Sequence, residues 1–351
     1  MRACDAEPNQ AEPRAKASAQ CGAGLGRRSL GVALGAGAFA TALPAPRIAR
    51  AAEAVEEIRI DYAYYNPVSL VLKEKGWLEQ DLAKDGIRLR WVLSLGSNKA
   101  LEYLNARSID FGSTAGAAAL LARFNGNPVR SVYVYSRPEW TALVTQGGSP
   151  IQKVTDLKGR RIAATRGTDP HIFLIRTLAA NGLTEKDVRV VLLQHQDGRL
   201  ALAKGDVDAW AGLDPLMAQA ELEDGARLFY RNAAINTWGV LNTSEAFAAG
   251  HPDLVLRVLA AYERARAFAI ANPGELKKTI VAQAKLTEAV AARQLERTDL
   301  STAAIGERQR KTIEAAGIAL QQAGVVPADV DVPATAVSLI DASFGTRLGI
   351  T

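Results

Sequence analysis

Hydrophobic and polar positions follow two alternating periods along most of the chain. Short segments in which every second residue is hydrophobic predict strands, and longer segments with hydrophobic residues three or four apart predict helices. In the first half, strand and helix segments alternate as 57–66 with 67–76, 88–97 with 98–108, and 109–112 with 113–124. Strands that alternate with helices in this way predict an α/β fold.

The same order of segments occurs a second time. Its members are a strand at 160–167 with a helix that opens at Pro170, then 188–196 with 197–205, and 207–210 with 214–224. Pro67 and Asp110 of the first half correspond to Pro170 and Asp208 of the second, at similar intervals. This repetition predicts two lobes of one design, each a mixed, mostly parallel sheet flanked by helices.

Two extended segments, 132–146 and 235–244, predict the crossings between these lobes. The expected domains are residues 52–139 plus 238–351 for lobe 1 with the C-terminal helices, and residues 140–237 for lobe 2. A helix that packs on lobe 1 is predicted from hydrophobic spacing at Leu254, Val258, Leu259, Tyr262 and Ala265. Two lobes joined by two crossover strands can close on a ligand by a hinge motion.

The N-terminal segment, residues 1–51, differs from the rest in composition. Arg27 and Arg28 precede a weakly hydrophobic run at 30–43, and 49–51 is a small-x-small cleavage pattern. These features predict an export signal that is removed, with the twin-arginine route favoured, and hence a periplasmic protein. A buried N-terminal helix is the alternative.

Removal of this segment changes the charge and the cysteine content. The whole chain has a net charge of +5, but the remainder has 35 basic and 34 acidic residues. Both cysteines, Cys4 and Cys21, lie in the removed part. The basic charge is therefore no argument for a nucleic acid or an anionic membrane as partner, and we expect neither a disulfide nor a thiolate nucleophile.

The stretch from Ala163 to Ile175 ends a strand at a glycine and then begins a helix. The first N–H groups of a helix have no partner within it, and the helix dipole is positive there, so such a start can hold an anion. Gly167 would let a ligand approach the backbone, and Thr168 offers a hydroxyl. Similar helix starts are predicted at 66–67, 97–98, 113–114 and 214–215.

Each of these starts, taken alone, is also explained by ordinary helix capping. Asp169 poses a sharper alternative, because a carboxylate facing the ligand would repel an anion. Either Asp169 caps its own helix and points away, or the ligand carries a positive group. Tyr65 and Trp210 end strands, and Trp140 and Trp238 lie at the crossings, which suits the apolar wall of a cleft or core packing equally.

No catalytic or metal-binding pattern is present in the sequence. The histidines His171, His195 and His251 are widely spaced and do not have metal-ligand spacing. His171, at the start of the second-lobe helix, is expected either to donate to a ligand or to be structural. Nucleophile elbows, phosphate-binding loops and dinucleotide fingerprints are also missing. We therefore expect a binding protein that is not an enzyme and uses no cofactor or metal.

Four segments together resemble the periplasmic substrate-binding proteins of ABC importers in the aliphatic sulfonate, taurine and nitrate family. They are SIDFGSTAGAAALLA, VTDLKGRRIAATRGTDPHIFLI, GDVDAWAGLDPLMAQAE and NTSEAFAAGHPDLVLRVL. The resemblance extends from about Glu57 to Glu263 and implies a type II periplasmic-binding fold. It also implies a monomer that delivers a small anion to an inner-membrane permease and its ATPase. The ligand-binding positions it implies are Tyr65, Asn66, Ser97, Thr114, Ala115, Gly167, Thr168, His171, Trp210 and Asp214.

The resemblance favours an aliphatic sulfonate or taurine-like ligand and leaves alternatives open. Relatives often have an amide where Asp169 stands, and WAGLDP lacks a tryptophan that some place before Asp214, so nitrate or a heterocyclic thiamine precursor stays possible. An enzyme on the same fold is a less favoured alternative. The desulfinases that resemble this family use a cysteine nucleophile, which the processed chain would lack, so only a carboxylate-dependent enzyme remains.

Overall fold

A computed structural model describes residues 55–350 of the protein, so the predicted export signal lies outside the described residues. The first part of the chain contains β1 (Glu57–Tyr62), α1 (Pro67–Lys75), α2 (Trp77–Leu82), β2 (Arg88–Leu93), α3 (Ser97–Asn105), β3 (Phe111–Ala115), α4 (Gly116–Phe124) and β4 (Val129–Pro138). The second part contains β5 (Thr141–Gln146), β6 (Arg161–Ala164), α5 (Asp169–Ala180), β7 (Arg189–Leu192), α6 (His195–Lys204), β8 (Ala209–Leu213), α7 (Leu216–Glu223) and β9 (Ala226–Tyr230). The third part contains β10 (Gly239–Ser244), α8 (Glu245–Gly250), α9 (Pro252–Ala271), α10 (Pro273–Ala284), α11 (Glu288–Glu296), β11 (Thr298–Asp299), α12 (Glu307–Gln322), α13 (Val332–Leu339) and α14 (Ser343–Arg347).

The strands form two mixed sheets, one in each lobe. The strand order is β11-β4-β10-β3-β1-β2 in the first lobe and β7-β6-β8-β5-β9 in the second. In each lobe the strand next to one edge, β1 or β6, pairs in parallel with both of its neighbours. The strand that arrives from the other lobe, β10 or β5, pairs antiparallel. The predicted α/β class with two mixed sheets, in which most strands run the same way, is confirmed.

An arginine–aspartate pair occupies the same place in both sheets. Asp110 accepts from the backbone N–H of Arg59 at 2.8 Å and from its guanidinium. Asp208 accepts from the backbone N–H of Arg161 at 2.7 Å and from its Nε. Each aspartate thus ties the strand that follows it to the neighbouring parallel strand, β1 or β6, which explains the correspondence of the two positions in the sequence.

Several helix starts differ from the predicted ones. β3 continues to Ala115, so Ser113 and Thr114 lie within a strand and α4 begins at Gly116. The physical reason is the antiparallel pairing of β3 with β10, which joins residues far apart in the sequence. In the second lobe, α6 begins at His195, two residues earlier than expected, and α7 begins only after Pro215.

The C-terminal helices enlarge the core of the first lobe. In α9, Val258, Leu259, Tyr262 and Ala265 are buried as predicted, while Leu254 is only partly buried. This helix packs against α1. A smaller hydrophobic cluster joins the lobes, since residues of α5 pack with residues of α4 and α12. Between residues 55 and 350, no helix is both long and apolar enough to cross a bilayer.

Candidate functional site

A cleft of about 380 Å³ lies between the two lobes. The first lobe contributes Tyr64, Tyr65, Ser94 and Leu95, and the second contributes the start of α6 and the turn that leads into α7. The connection between α10 and α11 closes one side with Leu286. Its volume suits a small organic ligand, and its wall combines aromatic and aliphatic side chains with a few polar groups.

Two helix starts, those of α3 and α6, meet beside this cleft. α3 begins after Gly96 and α6 begins after Gln194, and neither preceding residue makes a side-chain cap. Asn98 of α3 lies within 3.4 Å of Gln194, amide nitrogen to amide oxygen, so the two starts are in contact. Their first N–H groups are therefore free of side-chain acceptors, and both dipoles present a partial positive charge at the same place.

Some of the buried polar side-chain atoms that lack a hydrogen-bond partner lie at these two helix starts. Among the described residues, they include Asn98 Oδ1 and His195 Nε2, whereas the neighbouring Ser94 hydroxyl lies beside the Asp61 carboxylate and lowers its pKa. Ser94 is 1% exposed and His195 is 2% exposed. Because a buried polar atom without a partner costs about 1–3 kcal/mol, such atoms beside a cleft are typical of a ligand site.

The hydrogen bonds of Thr165 define the protonation of His195. The Thr165 hydroxyl donates its one proton to the carbonyl of Leu193 at 2.8 Å, so at 3.1 Å from His195 Nδ1 it can only accept. Nδ1 therefore carries the proton and Nε2 is an unprotonated acceptor. Burial lowers the pKa of His195 to about 3, so the ring is neutral near pH 7.

Two glycines allow the lobes to approach closely at this point. A Cβ atom at Gly96 would lie 2.7 Å from Asn98 Oδ1 and 3.0 Å from His195 Nε2, the latter in the opposite lobe. Gly167, which was singled out from the sequence, has a φ of +77° in the left-handed region, and its Cβ position is 3.8 Å from Asn98 Cβ. Gly167 thus belongs to the contact between the lobes, and its backbone conformation favours glycine.

Asp169 faces the crossings between the lobes rather than the cleft. Its carboxylate accepts from Trp140 Nε1 at 2.9 Å, from the Thr237 backbone N–H at 2.9 Å and from the Thr237 hydroxyl at 2.7 Å. Burial raises its pKa, although these donors oppose the shift. Of the two alternatives for Asp169, the structure has it pointing away from the cleft, but toward the hinge rather than as the cap of α5, which is Thr168.

Several predicted residues meet in one hydrogen-bond network of the first lobe. The Tyr65 hydroxyl donates to the Ser113 carbonyl at 2.9 Å, and Asn66 Nδ2 donates to Ser113 Oγ at 2.8 Å. Ser113 in turn donates to Asp61, a carboxylate whose pKa burial raises to about 6. Only Tyr65 of this set also lines the cleft.

Three other predicted residues hold the edges of the first-lobe strands and helices together. Ser97 Oγ, at the start of α3, accepts from the Ala115 N–H at 3.0 Å. Thr114 Oγ1 accepts from Asn242 Nδ2 at 2.8 Å, across the pairing of β3 with β10. Their side chains or N–H groups are therefore engaged within the lobe, next to the cleft.

Three predicted residues lie away from the cleft wall. The Thr168 hydroxyl donates to the Thr165 carbonyl at 2.6 Å. His171 Nε2 lies 3.0 Å from Glu185 Oε1 and borders a separate surface groove. Trp210 is fully buried in the second-lobe core, packed beneath Gly198 of α6. The structure does not bring these side chains together with the residues that line the cleft.

Asp214 lies in the cleft wall but is already paired. It accepts from the Ala218 N–H at 3.0 Å and from Arg297 at 3.3 Å, and Arg297 also pairs with Glu221. Burial raises the pKa of Asp214 to about 7, and Arg297 opposes that shift. No group of three or more potential metal ligands occurs in the described part of the chain.

The family of this chain is shown by its similarity to known proteins. The profile described as NMT1/THI5 like matches residues 68–276, more than half of the chain. The chain belongs to the NMT1/THI5-like family. A protein of Escherichia coli (strain K12) named as an aliphatic sulfonates-binding protein is 31% identical over 233 residues, which are 66% of this chain and 72% of that protein.

Solved structures of such proteins have the same fold as this NMT1/THI5-like chain. The alkanesulfonate-binding protein SsuA from Xanthomonas axonopodis pv. citri, bound to MOPS, has a TM-score of 0.73 at 27% identity, covering 81% of this chain and 99% of its own. The periplasmic aliphatic sulphonate binding protein SsuA from Escherichia coli has a TM-score of 0.68 at 26% identity, covering 80% and 91%. These relatives are named as binding proteins, not as enzymes.

Sequence reasoning missed several residues of this NMT1/THI5-like cleft. Ser94 and Gln194 were not singled out, and His195 was noted only as one of three histidines. The signal that could have found His195 is its place directly after a strand, where α6 begins. Arg297 gave no local signal, because its partners Asp214 and Glu221 belong to the other lobe.

The buried neutral state of His195 predicts a pH dependence of stability. Its pKa is lowered from 6.5 to about 3 in the folded protein, so the unfolded chain binds more protons between these values. Stability from this residue is therefore complete above pH 6.5 and is lost as the pH falls through that range. We expect the free energy of unfolding of the wild type to drop between pH 7.5 and 5 by about 1–2 kcal/mol more than that of His195→Gln, measured by urea denaturation.

The control for this measurement is His251→Gln, which changes a partly exposed histidine at the start of α9. The control variant keeps His195, so it should keep the loss of stability on acidification that His195→Gln lacks. Equal slopes for the wild type and for His195→Gln would contradict a buried, neutral His195.

Proposed function

We propose that the chain is the solute-binding component of an ABC importer and holds a small organosulfonate anion between its lobes. The observation that carries this proposal is the meeting of two helix starts, both without a side-chain cap, beside a cleft between the lobes. Aligned peptide dipoles and free N–H groups stabilise an anion at such a place without a lysine or arginine. The Ser94 hydroxyl, which lies beside Asp61 and lines the cleft, can turn to become a further donor for a sulfonate oxygen.

His195 can join these donors without becoming charged. If the Thr165 hydroxyl turns from the Leu193 carbonyl to Nδ1, the proton of the neutral ring moves to Nε2, which then donates to the ligand. The exchange keeps the ring neutral and costs one hydrogen bond, of about 0.5–1.5 kcal/mol. A bound sulfonate oxygen would offset that cost.

The remaining wall of the cleft favours a ligand with an organic tail. Tyr64, Tyr65, Leu213 and Leu286 give it aromatic and aliphatic surface. A cleft of about 380 Å³ is far larger than nitrate needs, so a bare inorganic anion would leave that surface uncovered. The aliphatic sulfonates that the named relatives bind combine an anionic head with such a tail.

The same proposal includes the location of the protein and its partners. The paired arginines and cleavage pattern at the N-terminus support export to the periplasm by the twin-arginine route. There the protein would act as a monomer that passes its ligand to an inner-membrane permease with its ATPase. No covalent chemistry on the ligand is part of this function.

The proposal is tested by ligand-dependent thermal stability and calorimetry. The purified protein is tested with ethanesulfonate, hexanesulfonate, MOPS, 2-aminoethanesulfonate, nitrate and a thiamine precursor as ligands. At 100 times its Kd, a ligand raises the free energy of unfolding by about 2.7 kcal/mol, so a true ligand gives a clear rise in melting temperature. A rise with nitrate or the thiamine precursor but with no sulfonate would reject this ligand assignment.

A single variant places the binding site in the cleft. Ser94→Ala should weaken sulfonate binding by about 0.5–1.5 kcal/mol, the net worth of one neutral hydrogen bond. Ser301→Ala, a change at an exposed serine outside the cleft, is the matched control. Equal affinities for the two variants would remove Ser94 from the site.

A further inference from the structure

The charged side chains at the cleft wall are all paired within the protein. In the described part of the chain, the acidic and basic residues that line the cleft are Asp214 and Arg199. Arg199 bonds to Asp224 at 2.7 Å and to Glu223 at 3.2 Å. Asp214 is held by Arg297, so the ligand meets neither a free cation nor a free carboxylate.

Arg297 reaches this carboxylate from the other lobe. It directly follows α11, and its carbonyl accepts from the Glu139 N–H at 2.7 Å at the crossing between the lobes. Its side chain, 5% exposed, extends to Asp214 at 3.3 Å and to Glu221 on α7. An arginine buried this deeply between two carboxylates of the opposite lobe has its geometry fixed by its partners.

The pairing of Arg297 with Asp214 determines which sulfonates the cleft can distinguish. With Arg297 in place, Asp214 adds little net negative potential, so a sulfonate at the helix starts is not repelled. A ligand ammonium group would be buried beside a carboxylate whose charge is already satisfied, and burying a charge without a partner is costly. The cleft should therefore prefer a sulfonate with an uncharged tail to a zwitterionic aminosulfonate.

Building on the proposed function, we propose that Arg297 is the specificity-determining residue of the cleft. It acts through Asp214, which it keeps from accepting an ammonium group. Removing Arg297 leaves the buried Asp214 carboxyl without its cation, so the ammonium group of 2-aminoethanesulfonate takes the place of the guanidinium as its counter-ion. Removing the Asp214 carboxylate strengthens the preference for ethanesulfonate. The two ligands differ only in the amino group, so the ratio of their Kd values reports this interaction alone.

The test is a double-mutant cycle measured by calorimetry at pH 8, with ethanesulfonate and 2-aminoethanesulfonate. Arg297→Met should move the ratio of Kd values at least fivefold toward the aminosulfonate, and Asp214→Asn should move it at least fivefold the other way. The double variant removes Asp214 and Arg297 and leaves Glu221 paired with Arg293 at 3.5 Å, so its ratio should return to within twofold of the wild-type ratio. Opposite shifts that cancel are the signature of one charge pair.

The matched control is Arg257→Met. Arg257 also bridges two carboxylates, Asp81 and Asp85, but it lies in the first lobe away from the cleft. Its loss should leave the ratio unchanged. If Arg297→Met does not fold, the shift of the Kd ratio in Asp214→Asn tests the proposal alone, and an unchanged ratio in that variant would overturn it.

Two negative results have different meanings. A ratio unchanged in both single variants, with both ligands still bound, overturns the role of Arg297 and leaves the proposed function intact. A wild-type protein that binds neither sulfonate overturns the proposed function and this inference with it.

Discussion

Gly96→Val should weaken the binding of ethanesulfonate by about 5- to 150-fold, the equivalent of 1–3 kcal/mol for overpacking a closely packed contact. The first added carbon would lie 2.7 Å from Asn98 Oδ1 and 3.0 Å from His195 Nε2. Because His195 belongs to the opposite lobe, the valine would hold the lobes apart. The backbone at Gly96 is extended, so each lobe should still fold.

Two measurements distinguish a valine that prevents the lobes from closing from a valine that damages the fold. Calorimetry gives the affinity, and small-angle scattering gives the decrease in radius of gyration that ligand causes when the lobes close. Gly148→Val is the control, since a Cβ there meets nothing within 4 Å. Normal affinity and normal closure in Gly96→Val would mean that the contact between α3 and α6 is not needed to hold the ligand.

The order of strands and helices could be predicted because it depends on local periodicity. Helix α1 ends at Lys75 with Gly76 in the left-handed conformation, as the sequence indicates. Repetition of the same order gave the two lobes, and the equivalent roles of Asp110 and Asp208 have a shared structural cause. Such features need only residues near one another in sequence or a pattern that recurs.

The details of the candidate site depend on contacts between distant segments, which periodicity does not contain. The end of β3 is set by its pairing with β10, so Ser113 and Thr114 could not be placed correctly from their neighbours. His171 follows the helix start that attracted attention, yet its partner is Glu185. The residues that bring the lobes together, Gly96 and His195, have meaning only once both lobes are folded.

Asp169 illustrates why a charged residue at a helix start can belong to the hinge. A buried carboxylate is tolerated when donors surround it, and its donors here come from both crossings, Trp140 on one and Thr237 on the other. Thr237 Oγ1 also accepts from the Ala117 N–H of α4 at 3.2 Å. The carboxylate therefore couples the start of α5 to both connections and, through Thr237, to the first lobe.

Asp169→Asn should lower the free energy of unfolding by about 2–4 kcal/mol, because its amide NH₂ would face donors that need an acceptor. At least one of the Trp140 and Thr237 donors would then be buried without a partner. Urea denaturation measures the loss, and Asp206→Asn, at an exposed carboxylate, is the control with an expected change within about 0.5 kcal/mol. In the described residues, the Trp140 Nε1–H, the Thr237 N–H and the Thr237 hydroxyl all donate to the Asp169 carboxylate. A loss of less than 1 kcal/mol in the free energy of unfolding of Asp169→Asn would therefore contradict the role of this carboxylate in holding the crossings together.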